Sequence, residues 1–172
     1  GRNDEAHAVI QRRYALERLG LPVWGFSPSA EPGSDSYEEY GVPLLGIAGY
    51  PAKVVAPYAS ALALAVTPGP AAQNLRRLAD IPGAYGDYGL YDSVEPATGE
   101  VATKYLALDQ SMLFLALANH ITHSPSDPGG CVRRHFAADP IVQRALPLVA
   151  DQLSPDRVER RPGRGESSGP NR

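Results

Sequence analysis

The sequence holds one cysteine, one methionine, one tryptophan and three phenylalanines in 172 residues. A single cysteine, Cys131, excludes a disulfide framework within the chain and any zinc site built on cysteines. No apolar run approaches the ~20 residues that a membrane-spanning helix needs. Neither sign of charge dominates: 16 Lys and Arg stand against 19 Asp and Glu, a net charge of −3. That balance excludes binding driven by the phosphate backbone of a nucleic acid. The sequence has no GxSxG, no P-loop, no GxGxxG and no HExxH pattern. His120 and His123 stand three apart near the expected end of a helix, where the helix dipole favours them, and no matching carboxylate accompanies them. No cofactor and no metal are therefore expected. No signal pattern opens the chain, which begins at Gly rather than Met. The expectation is a piece of a longer protein.

Tyrosine is abundant where other aromatics are scarce, with nine copies. Tyr suits surfaces that are apolar on one side and polar on the other. Eight of the nine lie between residues 37 and 105, mostly in two stretches, 22–55 and 80–108, that carry no helix pattern. Long irregular stretches of this kind are usually functional.

The rest of the chain reads as helices. Asn3 or Asp4 can cap a first one, with Ala6, Val9, Ile10 and Leu16 on one side and Gly20 as its stop. A second starts at Pro57 and is apolar nearly all round to Val66. After the Thr67–Pro70 break, a third presents Ala71, Ala72, Leu75 and Leu78 on one face. A fourth, 109–122, is again apolar nearly all round, with Asp109 as its cap. A short helix over 132–137 and a last one from Pro140 to Leu153, capped by Asp139, complete the set. Helices that are apolar all round, alternating with amphipathic ones, are what an inner and an outer helical layer produce. The expectation is an all-α fold with long aromatic, Gly-rich loops. One short hairpin would turn at Ala97–Gly99 into a strand over 101–106. Residues 1–153 form the domain. The stretch 154–172 reads as a disordered basic tail, with five Arg and two Glu from Arg157 onward.

Four constellations could carry chemistry. In Trp24-Gly25-Phe26-Ser27-Pro28-Ser29 the indole either packs on the apolar face of a sugar or plugs the helical layer. In Tyr85-Gly-Asp-Tyr-Gly-Leu-Tyr-Asp92-Ser93, tyrosines at i, i+3 and i+6 run into a carboxylate. Asp87 and Asp92 serve equally well to hold backbone amides in a turn. In Tyr105-Leu-Ala-Leu-Asp109-Gln110 a carboxyl sits at a helix entry. Free amides and the dipole there would lower its pKa, whether it caps or acts. Glu38 and Glu39 form the remaining acidic pair beside aromatics. Glycoside hydrolysis needs two carboxyl groups at defined spacing, and these aspartates and glutamates are the candidates.

Taken in order, Trp24 to Ser29, Ala56-Pro57-Tyr58-Ala59-Ser60, Gly89-Leu90-Tyr91-Asp92-Ser93 and Tyr105 to Gln110 resemble the glucoamylase-like family. That family includes endo-β-1,2-glucanases and modules of cyclic β-1,2-glucan synthases. The resemblance spans about residues 3–150. It implies an (α/α)6 toroid around a sugar-binding cleft, of which this chain is about the C-terminal half. Ser111 stands where the family usually has Gly. The acidic run that often precedes the Ala56–Ser60 element is replaced by Ile47-Ala-Gly-Tyr-Pro-Ala-Lys-Val54. The family's proposed acid catalyst lies in the N-terminal half.

The expected function is a share in a β-glucan-active glycoside hydrolase. Asp92 and Asp109 are its candidate catalytic residues. Trp24, Tyr58, Tyr88, Tyr91, Tyr105 and Gln110 are the candidate sugar contacts. The expected partners are an oligo- or polysaccharide and the missing N-terminal half of the same domain, with no nucleic acid and no membrane span. The alternative is a non-catalytic helical module that binds carbohydrate or serves only structure.

Overall fold

A computed structural model of the chain describes residues 2–46 and 49–150. The expected basic tail, 154–172, and the end of the last helix lie outside the described residues. The chain divides into two units, 1–132 and 133–172.

In the first unit, helix α1 (Arg2–Arg13) runs into a wider turn, Tyr14–Arg18. It stops before Gly20, whose φ of 68° is the left-handed geometry expected of it. The helix begins ahead of the expected caps, so Asn3 and Asp4 lie inside its first turn. Its buried stripe is Ala8, Gln11 and Ala15, while Ala6 and Ile10 face solvent. Gln11 turns inward because its Nε2 donates to the Phe26 carbonyl at 3.0 Å. A buried carbonyl of an irregular segment needs such a donor.

Helix α2 (Pro57–Leu62) continues as one tighter turn, Ala63–Ala65. Helix α3 (Pro68–Ala79) starts earlier than expected, since prolines in a first turn sacrifice no helical bond. Helix α4 (Ala107–Thr122) starts two residues before Asp109. α2 packs against both α3 and α4. Val23, Trp24, Phe26, Val55, Leu64, Leu78 and Val94 fill the core between helices and loops.

The irregular stretches carry three short antiparallel hairpins where one was expected. They are β1 (Ser29–Ala30) with β2 (Tyr37–Glu38), β3 (Tyr85–Gly86) with β4 (Gly89–Leu90), and β5 (Ser93–Glu95) with β6 (Glu100–Ala102). The last is the expected hairpin, with a shorter second strand. Its β5 strand is bridged through Val94 to Val55, in the extended segment just before α2. The fold is thus mostly helical.

One expectation about packing fails. An all-apolar helix should be buried on most sides, yet α4 leaves a full stripe exposed. Leu108, Ser111, Phe114, Leu115, Ile121 and Thr122 are open to water, and no charged residue interrupts them. The opposite face, toward α2, takes up Leu113, Ala116 and Leu117. No helix among the described residues is long and apolar enough to cross a membrane.

Helix α5 spans Cys131–Ala138. In the second unit, Asp139 Oδ1 accepts the Ile141 amide at 2.7 Å and caps helix α6 (Pro140–Ala150) as expected.

Candidate functional site

The site begins with how the Trp24–Ser29 segment is fastened. Asn74 on α3 clasps the Trp24 backbone from both sides. Its Oδ1 accepts the Trp24 amide at 3.1 Å and its Nδ2 donates to the Trp24 carbonyl at 2.7 Å. Ser60 on α2 donates to the same carbonyl at 2.8 Å. Gly25 follows with φ 120°, and a Cβ there would stand 2.6 Å from Ser60 Oγ. Glycine is therefore required both for its conformation and for the approach of α2. The Trp24 side chain is 3% exposed and belongs to the core. The expectation that it forms a sugar platform is corrected: the ring is the plug. An indole so placed gains more from burial than from a solvent-facing pose.

Beyond Phe26 the chain turns toward a cluster of hydroxyls and acids. Tyr58 on α2 is buried, and its hydroxyl meets Ser27 Oγ at 2.6 Å and donates to the Pro28 carbonyl at 2.9 Å. Tyr37 on β2 donates to the same carbonyl at 3.0 Å. Ala30, directly opposite Tyr37 in the β1–β2 register, gives its amide to Asp92 Oδ2 at 2.8 Å. Ser93 Oγ donates to the Ala30 carbonyl. Asp92 and Ser93 together thus hold both backbone groups of Ala30. Asp92 is itself placed by its amide bonding to the Lys104 carbonyl at 3.0 Å, beside the β5–β6 hairpin.

Asp109 meets this cluster from the first turn of α4. It is 2% exposed and Asp92 is 1% exposed. Neither Asp109 oxygen receives a backbone amide or a hydroxyl, and neither does Asp92 Oδ1. The two carboxyls lie within hydrogen-bonding reach of each other. Two carboxyls bond only when one carries a proton, and Asp109 is the one whose hold on its proton is strengthened. Burial first, and then the Asp92 carboxyl as hydrogen-bond partner and charge, push the Asp109 pKa up to about 7. The expected capping role, with a lowered pKa, is therefore corrected. Asp109 takes no helix amide, and desolvation outweighs the dipole. Burial and the nearby charge of Asp109 also hold the Tyr58 hydroxyl protonated far above the ordinary tyrosine range. Burial and both aspartates raise Tyr37 in the same direction.

A second cluster faces outward. Tyr91 and Tyr105 lie with ring centroids 4.7 Å apart at 32°, and Tyr88 meets Tyr105 edge-on at 5.6 Å and 79°. Tyr88 sits in the two-residue turn between β3 and β4 and is 84% exposed. Gly86 lies under the rings: a Cβ there would sit 2.5 Å from the hydroxyls of Tyr91 and Tyr105. Gln110 does not reach outward, since its Nε2 donates to the Leu90 carbonyl at 3.1 Å. It ties α4 to the hairpin that carries Tyr88.

The structure thus brings together Asp92, Asp109 and Tyr58 in one cluster, and Tyr88, Tyr91 and Tyr105 in another. It places Trp24 with neither. Glu38 is exposed on β2, and Glu39 bonds the Tyr50 hydroxyl, so neither belongs to the acid pair. Sequence reasoning misses Tyr37, whose signal lies in Tyr37-Glu-Glu-Tyr40 but is masked there by the glutamates. It also misses Ser27, Ser93 and Asn74, which no local pattern distinguishes from surface residues.

The family model described as "Putative glucoamylase" matches residues 1–124. The cyclic β-(1,2)-glucan synthase NdvB of Rhizobium meliloti (strain 1021) is 36% identical over 171 residues, covering 90% of this chain and 6% of the synthase. An endo-β-1,2-glucanase from Chitinophaga pinensis, solved with sophorotriose and glucose, superposes with a TM-score of 0.69 at 21% identity. The match covers 84% of this chain and 34% of the glucanase. A β-1,2-glucanase from Parabacteroides distasonis gives 0.64 at 20% identity, over 83% of this chain and 20% of that enzyme. The chain therefore spans a small part of the synthase and about a third of the first glucanase. The family match over most of the sequence, joined to the same fold in these solved structures, establishes that the chain belongs to the glucoamylase-like family.

Proposed function

We propose that this chain is part of a β-glucan-active glycoside hydrolase domain of the (α/α)6 type. It contributes a tyrosine platform for sugar and one carboxyl of the acid/base machinery. The observation that carries this reading is the joining of two clusters by neighbouring residues. Tyr91 belongs to the platform and Asp92 to the acid pair, and Tyr105 stands four residues before Asp109.

Spacing decides how many catalytic groups the pair can supply. Retaining enzymes hold their two carboxyls ~5–5.5 Å apart and inverting enzymes ~6.5–9.5 Å apart. Asp92 acts on Asp109 as a hydrogen-bond partner, so the two stand closer than either arrangement and serve as one group. Asp92 spends Oδ2 on Ala30 and positions the pair. Asp109, with neither oxygen taken by an amide or a hydroxyl, is the member that meets a sugar hydroxyl or a water. A pKa near 7 lets it hold or release a proton at neutral pH. The opposing carboxyl comes from elsewhere in the domain.

The exposed stripe of α4 supports the same reading. Its length, 16 residues, is ~24 Å of helix. One helix face is too small for the ~1,000 Å² that a freestanding interface requires. It suits a neighbouring helix of the same domain. The proposed occupant is the remainder of the toroid, consistent with a chain that spans about a third of the solved glucanase.

The test is calorimetric titration of the folded chain with β-1,2-gluco-oligosaccharides, comparing wild type with Tyr88→Ala and Tyr105→Ala. Binding that weakens about tenfold or more in both variants is the expected result. No heat with any glucan oligomer favours the second reading, a structural helical module. The full burial of both carboxyls and the core position of Trp24 are what speak for that alternative.

A further inference from the structure

The Asp87-Tyr88 turn carries its ring out into solvent, and little of the hairpin itself can hold that ring still. β3 and β4 pair only through Tyr85 with Leu90 and Gly86 with Gly89. A two-stranded hairpin is marginal even at greater length. Asp87 and Tyr88 lie between the paired glycines, where the ladder offers the Tyr88 amide no partner. The Tyr88 ring is 84% exposed. A ring so placed loses much of its binding strength to its own ordering unless something fixes it beforehand.

The missing partner is the Tyr105 hydroxyl. It accepts the Tyr88 amide at 3.2 Å and donates to the Gly89 carbonyl at 3.4 Å. Room for it exists because residue 86 is glycine: a Cβ there would lie 2.5 Å from the Tyr105 oxygen. One oxygen thus reaches Gly86, Tyr88 and Gly89 in a single turn. The other ties hold the base of the hairpin, not its tip. Gln110 Nε2 donates to the Leu90 carbonyl at 3.1 Å, and the Tyr91 amide donates to the Ala84 carbonyl at 2.9 Å. Tyr105 is half-buried, and its ring stands edge-on to that of Tyr88. Tyr105 and Gln110 also bracket Asp109 along the chain. The segment that carries the acid therefore holds the hairpin at both tip and base.

We infer that Tyr105 is a positioning residue: its hydroxyl clasps the Asp87-Tyr88 turn and so sets the Tyr88 ring in the pose that meets sugar. Tyr88 makes the contact, and Tyr105 acts through it. The inference rests on the proposed function for the identity of the ligand, a β-glucan, whereas the clasp itself is testable without any sugar.

The decisive variant is Tyr105→Phe, which keeps the ring and removes the one oxygen. Amide hydrogen exchange read by NMR should show the Tyr88 amide protected in the wild type and about tenfold faster or more in the variant. The Val94 amide, bonded to the Val55 carbonyl in the frame, should exchange alike in both. Affinity for β-1,2-gluco-oligosaccharides should fall severalfold in Tyr105→Phe, yet no further in the Tyr88→Ala background. A Tyr88 amide that exchanges in the wild type as fast as an unstructured one overturns the clasp, and that measurement needs no variant to fold. Unchanged exchange in a folded Tyr105→Phe overturns it as well. No loss of affinity in that variant, or an equal loss with and without the Tyr88 ring, overturns the positioning role, since in the second case Tyr105 binds sugar directly. A wild type that binds no glucan, with the exchange results as expected, removes the proposed function and leaves the clasp standing.

Discussion

Substituting Asp109 by asparagine should change how stability depends on pH, and in a direction opposite to that of an aspartate held by a cation or by backbone amides. An aspartate that gains a cation or several amides on folding has a depressed pKa, and its stabilisation is lost in acid. Asp109 has a raised pKa, caused first by burial and then by Asp92. The folded state therefore binds its proton more tightly than the unfolded state does. Its contribution to stability is fully present below the unfolded value, ~3.9, and is lost as pH rises through the folded value near 7. The full difference corresponds to about 4 kcal/mol, an upper bound that relaxation and water entry into the pair reduce to about 2 kcal/mol. The asparagine side chain cannot ionise, and its amide can donate to Asp92 Oδ1, which takes no amide or hydroxyl in the wild type. Urea denaturation followed by circular dichroism at pH 4.5, 6, 7.5 and 9 tests this. Wild type should lose about 2 kcal/mol or more relative to Asp109→Asn between the first and last of these. The variant should be the more stable protein at pH 9. Curves that run parallel across the whole range refute the raised Asp109 pKa and, with it, the poised acid.

Three further outcomes follow from particular contacts. Gly86→Ala should destabilise by about 1–3 kcal/mol and shift the tyrosine ring resonances, because its Cβ would fall 2.5 Å from two hydroxyls; chemical denaturation and proton NMR read the two effects. Asn74→Ala should cost about 2–4 kcal/mol, since it strips a donor and an acceptor from the buried Trp24 backbone, and Trp24 emission should shift to the red at lower urea. Phe114→Lys should leave the melting midpoint seen by calorimetry nearly unchanged, because the ring is 68% exposed and stands outside the core.

How much of this can be read from the chain follows from how far each contact reaches along it. Periodicity is local, so α2, α3 and α4 are legible to within a few residues, as are the stop at Gly20 and the cap at Asp139. The β5–β6 hairpin is legible from its turn. What fails needs a partner distant in sequence. The inward turn of Gln11 depends on a carbonyl fifteen residues on. The burial of Trp24 depends on Asn74, fifty residues on. Asp109 reads as a cap because capping is decided within a turn, whereas its pKa is decided by burial and by Asp92, seventeen residues back on another element. The exposed stripe of α4 fails for a different reason. Its composition is that of a covered helix, and a helix face does not encode whether the cover is present.

The same separations say how the site and the frame are coupled. The helices pack on one another without the acid pair, whereas the pair exists only where three loop segments are tied to the frame. Ala30 bonds Asp92 across sixty-two residues, Tyr58 bonds Pro28 across thirty, and Asn74 bonds Trp24 across fifty. Each tie rests on one or two buried polar contacts, each worth ~1–3 kcal/mol when broken, against many apolar contacts in the helical layer. Loss of one tie should therefore release the loops and expose the carboxyls while leaving helix content almost intact. In such a molecule far-ultraviolet dichroism reports the frame and carboxyl titration reports the site, so the two should melt apart under mild urea. A single coincident transition for both would mean that the loops carry the fold as much as the helices do.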